Sequence, residues 1–303
     1  MNSKNIYAIK GLHHGVFSSL DYSLCPHKFW VPSWNSIEKP KPNNVHIMTK
    51  EQLEDPDDSF FDAILVQSID DYMLVKDFDK TIMFYNLMNS RGNPANHVEV
   101  LKNPRVIPLY ISTSCRTSHG IFDGKHKTIY PGIDENFWNG YTGEDRKIIH
   151  VRNAFKERDP QKFKDFEAVC EGEEYTLVGT KGNMYCGADE LVKQFRKHRV
   201  FVNIEIYTST FSISSMEAMM TGMPIICNDI ESTGEAIRNG VEGFISNDMN
   251  YLKKRTRELL NDVDMAKELG NNAREMAKMK FSKKQFNMAW NDLFENMDSY
   301  RRV

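Results

Sequence analysis

Short β-rich runs alternate with helix-patterned segments along nearly the whole chain, and this alternation restricts the fold more than any other feature. Apolar, often β-branched runs at 6–9, 28–31, 45–48, 63–67, 81–85, 106–111 and 128–130 are separated by polar, glycine-bearing or helical stretches. A second series follows at 148–151, 175–178, 200–204, 224–227 and 243–245. Such spacing predicts parallel sheets with crossover helices, an α/β class. Between the series, the polar stretch Asn139-Gly140-Tyr141-Thr142-Gly143-Glu144-Asp145-Arg146 predicts a boundary, giving domains over 1–140 and 141–303. A length of 303 residues suits two cores with a cleft between them. The tail reads as helical over 249–262, about 264–279, and from Ser282 to about 300. Ser282 is a fitting N-cap, and Phe286, Met288, Ala289, Leu293, Phe294 and Met297 form an apolar stripe for packing.

Composition narrows the function classes. Hydrophobic residues at 40% and aromatics at 11% supply ordinary cores. With 39 Lys and Arg against 42 Asp and Glu, the net charge of -3 does not announce a nucleic-acid or membrane binder, so any such partner needs a local patch. Residues 91–127 offer one: Arg91, Lys102, Arg105, Arg116, Lys125 and Lys127 stand against Glu99 and Asp123, with His97, His119 and His126 among them. These residues would attract an anionic acceptor, a nucleic-acid backbone included, or be a merely solvated charge run. The five cysteines are odd in number and never spaced as CxxC, which speaks against a disulfide framework and a zinc site. A reducing compartment fits. The first residues lack the apolar stretch of a signal peptide and no run approaches the ~18 apolar residues of a membrane span, so a cytoplasmic location is expected.

Chemistry is most legible from Ser209 to Asp229, which reads as a polar loop, a short helix, a stop at Gly222, and a buried strand opened by Pro224. Free N–H groups in the turn Phe211-Ser212-Ile213-Ser214-Ser215, at the positive end of the helix dipole, favour an anion such as a diphosphate. Glu217, one turn inside, is placed to accept hydrogen bonds from ribose hydroxyls. The same residues also fit an ordinary helix with Ser214 as its cap and Glu217 as a capping-box partner.

The run Ser214-Ser215-Met216-Glu217-Ala218-Met219-Met220-Thr221-Gly222-Met223-Pro224-Ile225-Ile226 resembles the donor-site signature of retaining GT-B glycosyltransferases, glycosyltransferase family 4 in particular. The likeness continues through Glu235-Ala236-Ile237-Arg238-Asn239-Gly240-Val241-Glu242-Gly243, and upstream through Tyr130-Pro131-Gly132-Ile133-Asp134 and Thr176-Leu177-Val178-Gly179-Thr180-Lys181-Gly182. It covers roughly residues 128–302. The resemblance implies a GT-B fold: two Rossmann-like domains facing across a cleft, with a C-terminal helix packing back on the first. It also implies transfer of a sugar, with retention, from a UDP- or GDP-sugar to an acceptor hydroxyl, without metal or other cofactor.

Residue by residue, Glu217 takes the second place of the family's Glu-x7-Glu motif, and Ser209 stands at the first, which leaves the sugar open. Phe211, Ser212, Ile213 and Ser214 fall at the donor-binding turn, and Gly179 in a second donor-side loop. Of the family's basic pair, Arg158 stands for the lysine and Arg152 or Asn153 for the arginine, with Lys156 alongside. In the first domain, Lys10-Gly11-Leu12-His13-His14-Gly15 looks like the family's glycine-bearing first loop, making Gly11, His13 and His14 candidates at the carboxyl edge of a sheet. The paired histidines have no acidic or cysteine partner at ligand spacing, so no metal is expected. The chain is compact and shows no basic amphipathic docking helix, which directs attention to soluble acceptors: a hydroxylated DNA base, a glycan or a small molecule. Ser209 keeps a second reading open, that of a GT-B-like protein that binds nucleotide or glycan without transfer.

Overall fold

The computed structural model describes residues 3–12, 14–34, 40–54, 59–86, 94–206 and 210–301. The chain divides into two compact units, one of Met1–Gly132 with Lys283–Val303, the other of Ile133–Ser282.

The first unit is a seven-stranded parallel sheet in the order β3-β2-β1-β4-β5-β6-β7. Its strands are β1 (Asn5–Ala8), β2 (Lys28–Val31), β3 (Val45–Ile47), β4 (Ala63–Val66), β5 (Thr81–Asn86), β6 (Val106–Tyr110) and β7 (Lys127–Thr128). Between them run α1 (His14–Phe17), α2 (Lys50–Glu54), α3 (Ile69–Val75), α4 (Pro94–Lys102) and α5 (Thr113–Ser118). Every residue of β4 and β6 is buried, the mark of strands covered on both faces, which is why they read as unbroken apolar runs.

The second unit holds a five-stranded parallel sheet ordered β12-β11-β10-β8-β9. Its strands are β8 (Asp145–Val151), β9 (Tyr175–Val178), β10 (His198–Asn203), β11 (Ile225–Cys227) and β12 (Gly243–Ile245). The helices are α6 (Phe155–Arg158), α7 (Pro160–Cys170), α8 (Ala188–Lys197), α9 (Ile213–Thr221), α10 (Met249–Asn261) and α11 (Val263–Phe281). Helices α12 (Lys283–Glu295) and α13 (Met297–Tyr300) return to the first unit.

Two expectations need revision. The division falls at Gly132, not in the polar stretch at 139–146, because that stretch and residues 135–138 before it are bonded into the second unit. Arg274 donates to the carbonyls of Trp138 (2.7 Å) and Glu135 (3.0 Å), and the Thr142 N–H donates to the Arg196 carbonyl (2.8 Å). Trp138 packs on Phe195 at 5.6 Å.

The stripe of α12 is also rotated. Met288 is 50% exposed, and the centre of the buried face is Trp290, packed on Phe17 at 5.5 Å and on Phe29 at 5.6 Å. Spacing of three and four from Phe286 through Trp290, Leu293, Phe294 and Met297 is the helical period, which Met288 breaks. Ser282 stands extended between α11 and α12 and bridges to Ile133. Buried Asn287 fixes the returning helix, its amide donating to the Ser19 carbonyl (2.8 Å) and accepting from the Asp21 N–H (2.9 Å).

Helices α9 and α11 cross with almost no side chain between them. A Cβ on Gly270 would lie 2.0 Å from the Gly222 carbonyl oxygen. Gly222 closes α9 in the left-handed region (φ +103), and its N–H bonds to the carbonyls of Ala218 and Met219. Among the described residues no helix is long and apolar enough to cross a membrane.

Candidate functional site

The carboxyl edge of the five-stranded sheet gathers most of the residues singled out in the second unit. β10 ends at Asn203, and α9 starts from Ser212. Ser209, the first-glutamate position, lies outside the described residues. Ser212, not Ser214, is the cap: it is extended, and its hydroxyl accepts from the Ser215 N–H (3.2 Å). Buried Asn203 selects it by donating to the hydroxyls of Ser212 (3.4 Å) and Ser215 (3.1 Å). The N–H groups of Ile213 and Ser214 have no acceptor among the described residues, so the first turn presents two free donors on the positive end of a nine-residue helix. Glu217, 6% exposed, lies in the second turn, and its carbonyl accepts from the Thr221 hydroxyl (2.8 Å). The Phe211 ring stacks on Phe281 at 6.1 Å, anchoring the turn to α11.

A shallow hollow opens beside this turn, lined by Asn203, Glu205, Phe211, Ser212, Asn228 and Thr233 among others. Glu205 escaped the sequence reading. Its backbone is held on both sides by one side chain: its N–H donates to Asn228 Oδ1 (2.8 Å) and its carbonyl accepts from Asn228 Nδ2 (2.8 Å).

On the neighbouring strand β8, Arg152 does not stand open as a cation. Its guanidinium bonds to Glu205 Oε2 (2.6 Å) and Asp159 Oδ2 (2.7 Å) and lies 4.8 Å from the centre of the Phe155 ring. Asn153 ties two loops together, since its Oδ1 accepts from the Thr180 N–H (2.9 Å). Gly179 allows that approach: φ is +140, and a Cβ there would lie 2.5 Å from the Arg152 carbonyl oxygen. Lys156 is exposed with its ammonium 5.8 Å from the centre of the Phe163 ring. Arg158 is exposed and makes no ion pair with any described residue. Of the expected basic pair, Arg158 is therefore the available charge and Arg152 the engaged one.

The first-unit candidates form a separate set. Gly11 turns with φ +93 and its carbonyl accepts from Gln67 Nε2 (2.8 Å), while Lys10 pairs with buried Asp71 at 2.8 Å. His14 opens α1; its side chain, and all of His13, lie outside the described residues. The basic run at 91–127 is largely consumed within its own unit. Lys102 pairs with Glu99 (2.9 Å), Arg105 donates to the Lys76 carbonyl (3.1 Å), Arg116 to the Ile121 carbonyl (2.7 Å), and Lys127 is bound to Asp292. Arg91 is outside the described residues, as is the side chain of His97.

Comparison with known proteins follows the same division. Residues 179–276 match the family model described as Glycosyl transferases group 1. The match begins at Gly179 and includes α9 with Glu217, but not Arg152, Asn153, Lys156 or Arg158. An uncharacterized glycosyltransferase of Methanocaldococcus jannaschii, MJ1178, is 28% identical over 108 residues, which is 35% of this chain and 30% of that protein's length. Over nearly the whole chain, the structure is similar to HepE of Anabaena solved with UDP-glucose (TM-score 0.72, 12% identity, covering 98% of this chain and 100% of that one). It is likewise similar to sucrose-phosphate synthase of Thermosynechococcus elongatus (TM-score 0.73, 13% identity, 98% and 99%). At these identities the likeness is one of fold: the two parallel-sheet units have the GT-B architecture.

Proposed function

We propose that the chain is a glycosyltransferase whose second unit, Ile133–Ser282, holds a nucleoside-diphosphate sugar and whose reaction moves that sugar to an acceptor hydroxyl. The observation that carries this reading is the start of α9, where the amides of Ile213 and Ser214, without an acceptor among the described residues, stand one turn from Glu217, inside the segment that matches the glycosyltransferase model.

As the bond from the anomeric carbon to the diphosphate breaks, negative charge gathers on the leaving oxygen. Preset amides and the helix dipole stabilise that charge more than they stabilise the ground state, which is what lowers the barrier. Arg158 and Lys156 are the exposed cations available to share it. Glu217 fixes the nucleoside by accepting from its ribose hydroxyls. We further propose that the acceptor hydroxyl attacks from the face the diphosphate leaves, its proton passing to the departing diphosphate oxygen, giving retention, and that amides and cations do the stabilising without a metal. UDP- or GDP-sugars are the proposed donors. The family-4 resemblance supports these finer points.

Incubating the protein with a panel of UDP-, GDP- and ADP-sugars tests the reading, with release of nucleoside diphosphate and NMR of the product anomer as readouts. Release with a retained anomer is expected. Thermal stabilisation by a nucleotide without release would instead mark a non-catalytic binder, the reading that Ser209 keeps open. Neither response to any donor would remove both. For the acceptor, a hydroxylated DNA base stands beside glycans and small molecules; absence of DNA binding at low salt removes the first.

A further inference from the structure

We propose that the Glu205 carboxylate is a built-in stand-in for the donor diphosphate, holding Arg152 while the site is empty and yielding it when the nucleotide enters. This inference rests on the donor-site reading above. Arg152 projects from the end of β8 and is shared by Glu205 (2.6 Å) and Asp159 (2.7 Å), one carboxylate on each terminal nitrogen. Two carboxylates on one guanidinium leave a local net charge of -1, an unfavourable field for an entering dianion.

The two arms differ in their surroundings. Glu205 follows Asn203 by two residues, and Asn203 is bonded to Ser212 and Ser215 at the start of α9. Glu205 also lines the same hollow as Ser212, the residue that caps α9. Asp159 belongs to the junction of α6 and α7 and does not line that hollow. An anion settling on α9 therefore meets the Glu205 arm first.

Exchange at that arm is inexpensive. Asn228 clamps the Glu205 backbone at both its N–H and its carbonyl, so only side-chain torsions need change. The planar guanidinium keeps its bond to Asp159 and its place on the Phe155 ring, and a phosphate oxygen takes the position given up by the carboxylate. Arg152 is never left buried without a partner, the condition that makes breaking such pairs costly. The return of Glu205 then favours departure of the nucleoside diphosphate after transfer, a step that limits many turnover rates.

Calorimetric titration of UDP into the full chain tests this, with GDP and ADP run alongside. Glu205→Gln removes the competing charge and keeps the volume, and is expected to bind the nucleotide about fivefold tighter than wild type. A merely structural ion pair predicts the reverse, because loosening it would weaken the site. Unchanged or weaker binding in a folded Glu205→Gln protein overturns the exchange and leaves the donor-site reading standing. Wild type that binds none of the three nucleotides removes the donor-site reading itself, and the exchange with it. Should Glu205→Gln fail to fold, Arg152→Met is compared with Arg152→Met/Glu205→Gln. The exchange requires the single variant, with its orphaned carboxylate, to bind UDP more weakly than the double, and equal affinities overturn it.

Discussion

In the proposed reaction Glu217 serves binding and Arg158 serves the departure of the diphosphate. Glu217 is almost wholly buried, so Glu217→Gln, which keeps shape and loses charge, tests its chemistry without opening a cavity. Losing one charged acceptor to a ribose hydroxyl is expected to weaken nucleotide binding by about 10- to 100-fold, read by titration with UDP or GDP. An unchanged dissociation constant for both would sink the assignment. Arg158 is exposed and unpaired among the described residues, so Arg158→Ala should leave the unfolding free energy within about 0.5 kcal/mol. Its kcat should fall by about 10- to 100-fold if it stabilises the leaving diphosphate. Loss of stability with unaltered turnover would make it structural.

At this scale the sequence is informative only where chemistry is local. Glu217, Gly222 and Pro224 are legible because their spacing is that of one helix and its exits. Ser212, Ser214 and Ser215 are chemically alike as caps, and the choice among them is made by Asn203, nine residues upstream of Ser212. The Arg152–Glu205 pair joins residues 53 apart, just past the ends of the neighbouring strands β8 and β10, and nothing in either local run announces it.

Among elements, the contact between α9 and α11 has the least tolerance. Gly270→Ala would drive a methyl group against the Gly222 carbonyl, and overpacking of this kind costs about 1–3 kcal/mol. Urea unfolding should show that loss, whereas Gly234→Ala, with no heavy atom within 4 Å of its added carbon, should show almost none. Equal stability in the two variants would mean the helices slide apart freely. If α9 carries the donor-binding turn as proposed, the Gly270 variant should also bind nucleotide less well. All twelve strands among the described residues are legible, since buried parallel strands are short apolar runs that little else in a globular chain imitates. The face of α12 was less so: Met288 and Trp290 both suit a core, and only helical phase against Phe17 and Phe29 decides between them.

For the whole molecule, acid is the expected weak point. His150 is fully buried among Phe155, Phe166 and Phe201, with Nδ1 2.7 Å from the Val202 carbonyl. Burial holds its pKa down to about 3, against an ordinary value near 6.5. Burial also lowers His198 in the same unit and His27 in the other. The unfolded chain therefore takes up protons that the folded chain refuses. Stability is full above about pH 6.5 and declines as pH falls toward 3, by up to about 1.4 kcal/mol per pH unit for His150 alone. Denaturant midpoints measured from pH 7 to 4 should fall, and fall less steeply in His150→Phe; a flat profile in wild type would contradict the account.

Unit boundaries were the least legible feature at this scale. A polar stretch at 139–146 looks like a linker until its bonds to Thr221 and Arg196 are seen.

The first unit is discontinuous, made of Met1–Gly132 and Lys283–Val303, and this orders events on the ribosome. Trp290 leaves the exit tunnel only after residues 133–282 have all emerged, so the N-terminal sheet waits, with Phe17 and Phe29 uncovered, while the second unit can already close. The half translated first is the half that matures last, and during that interval it is a natural client for a chaperone.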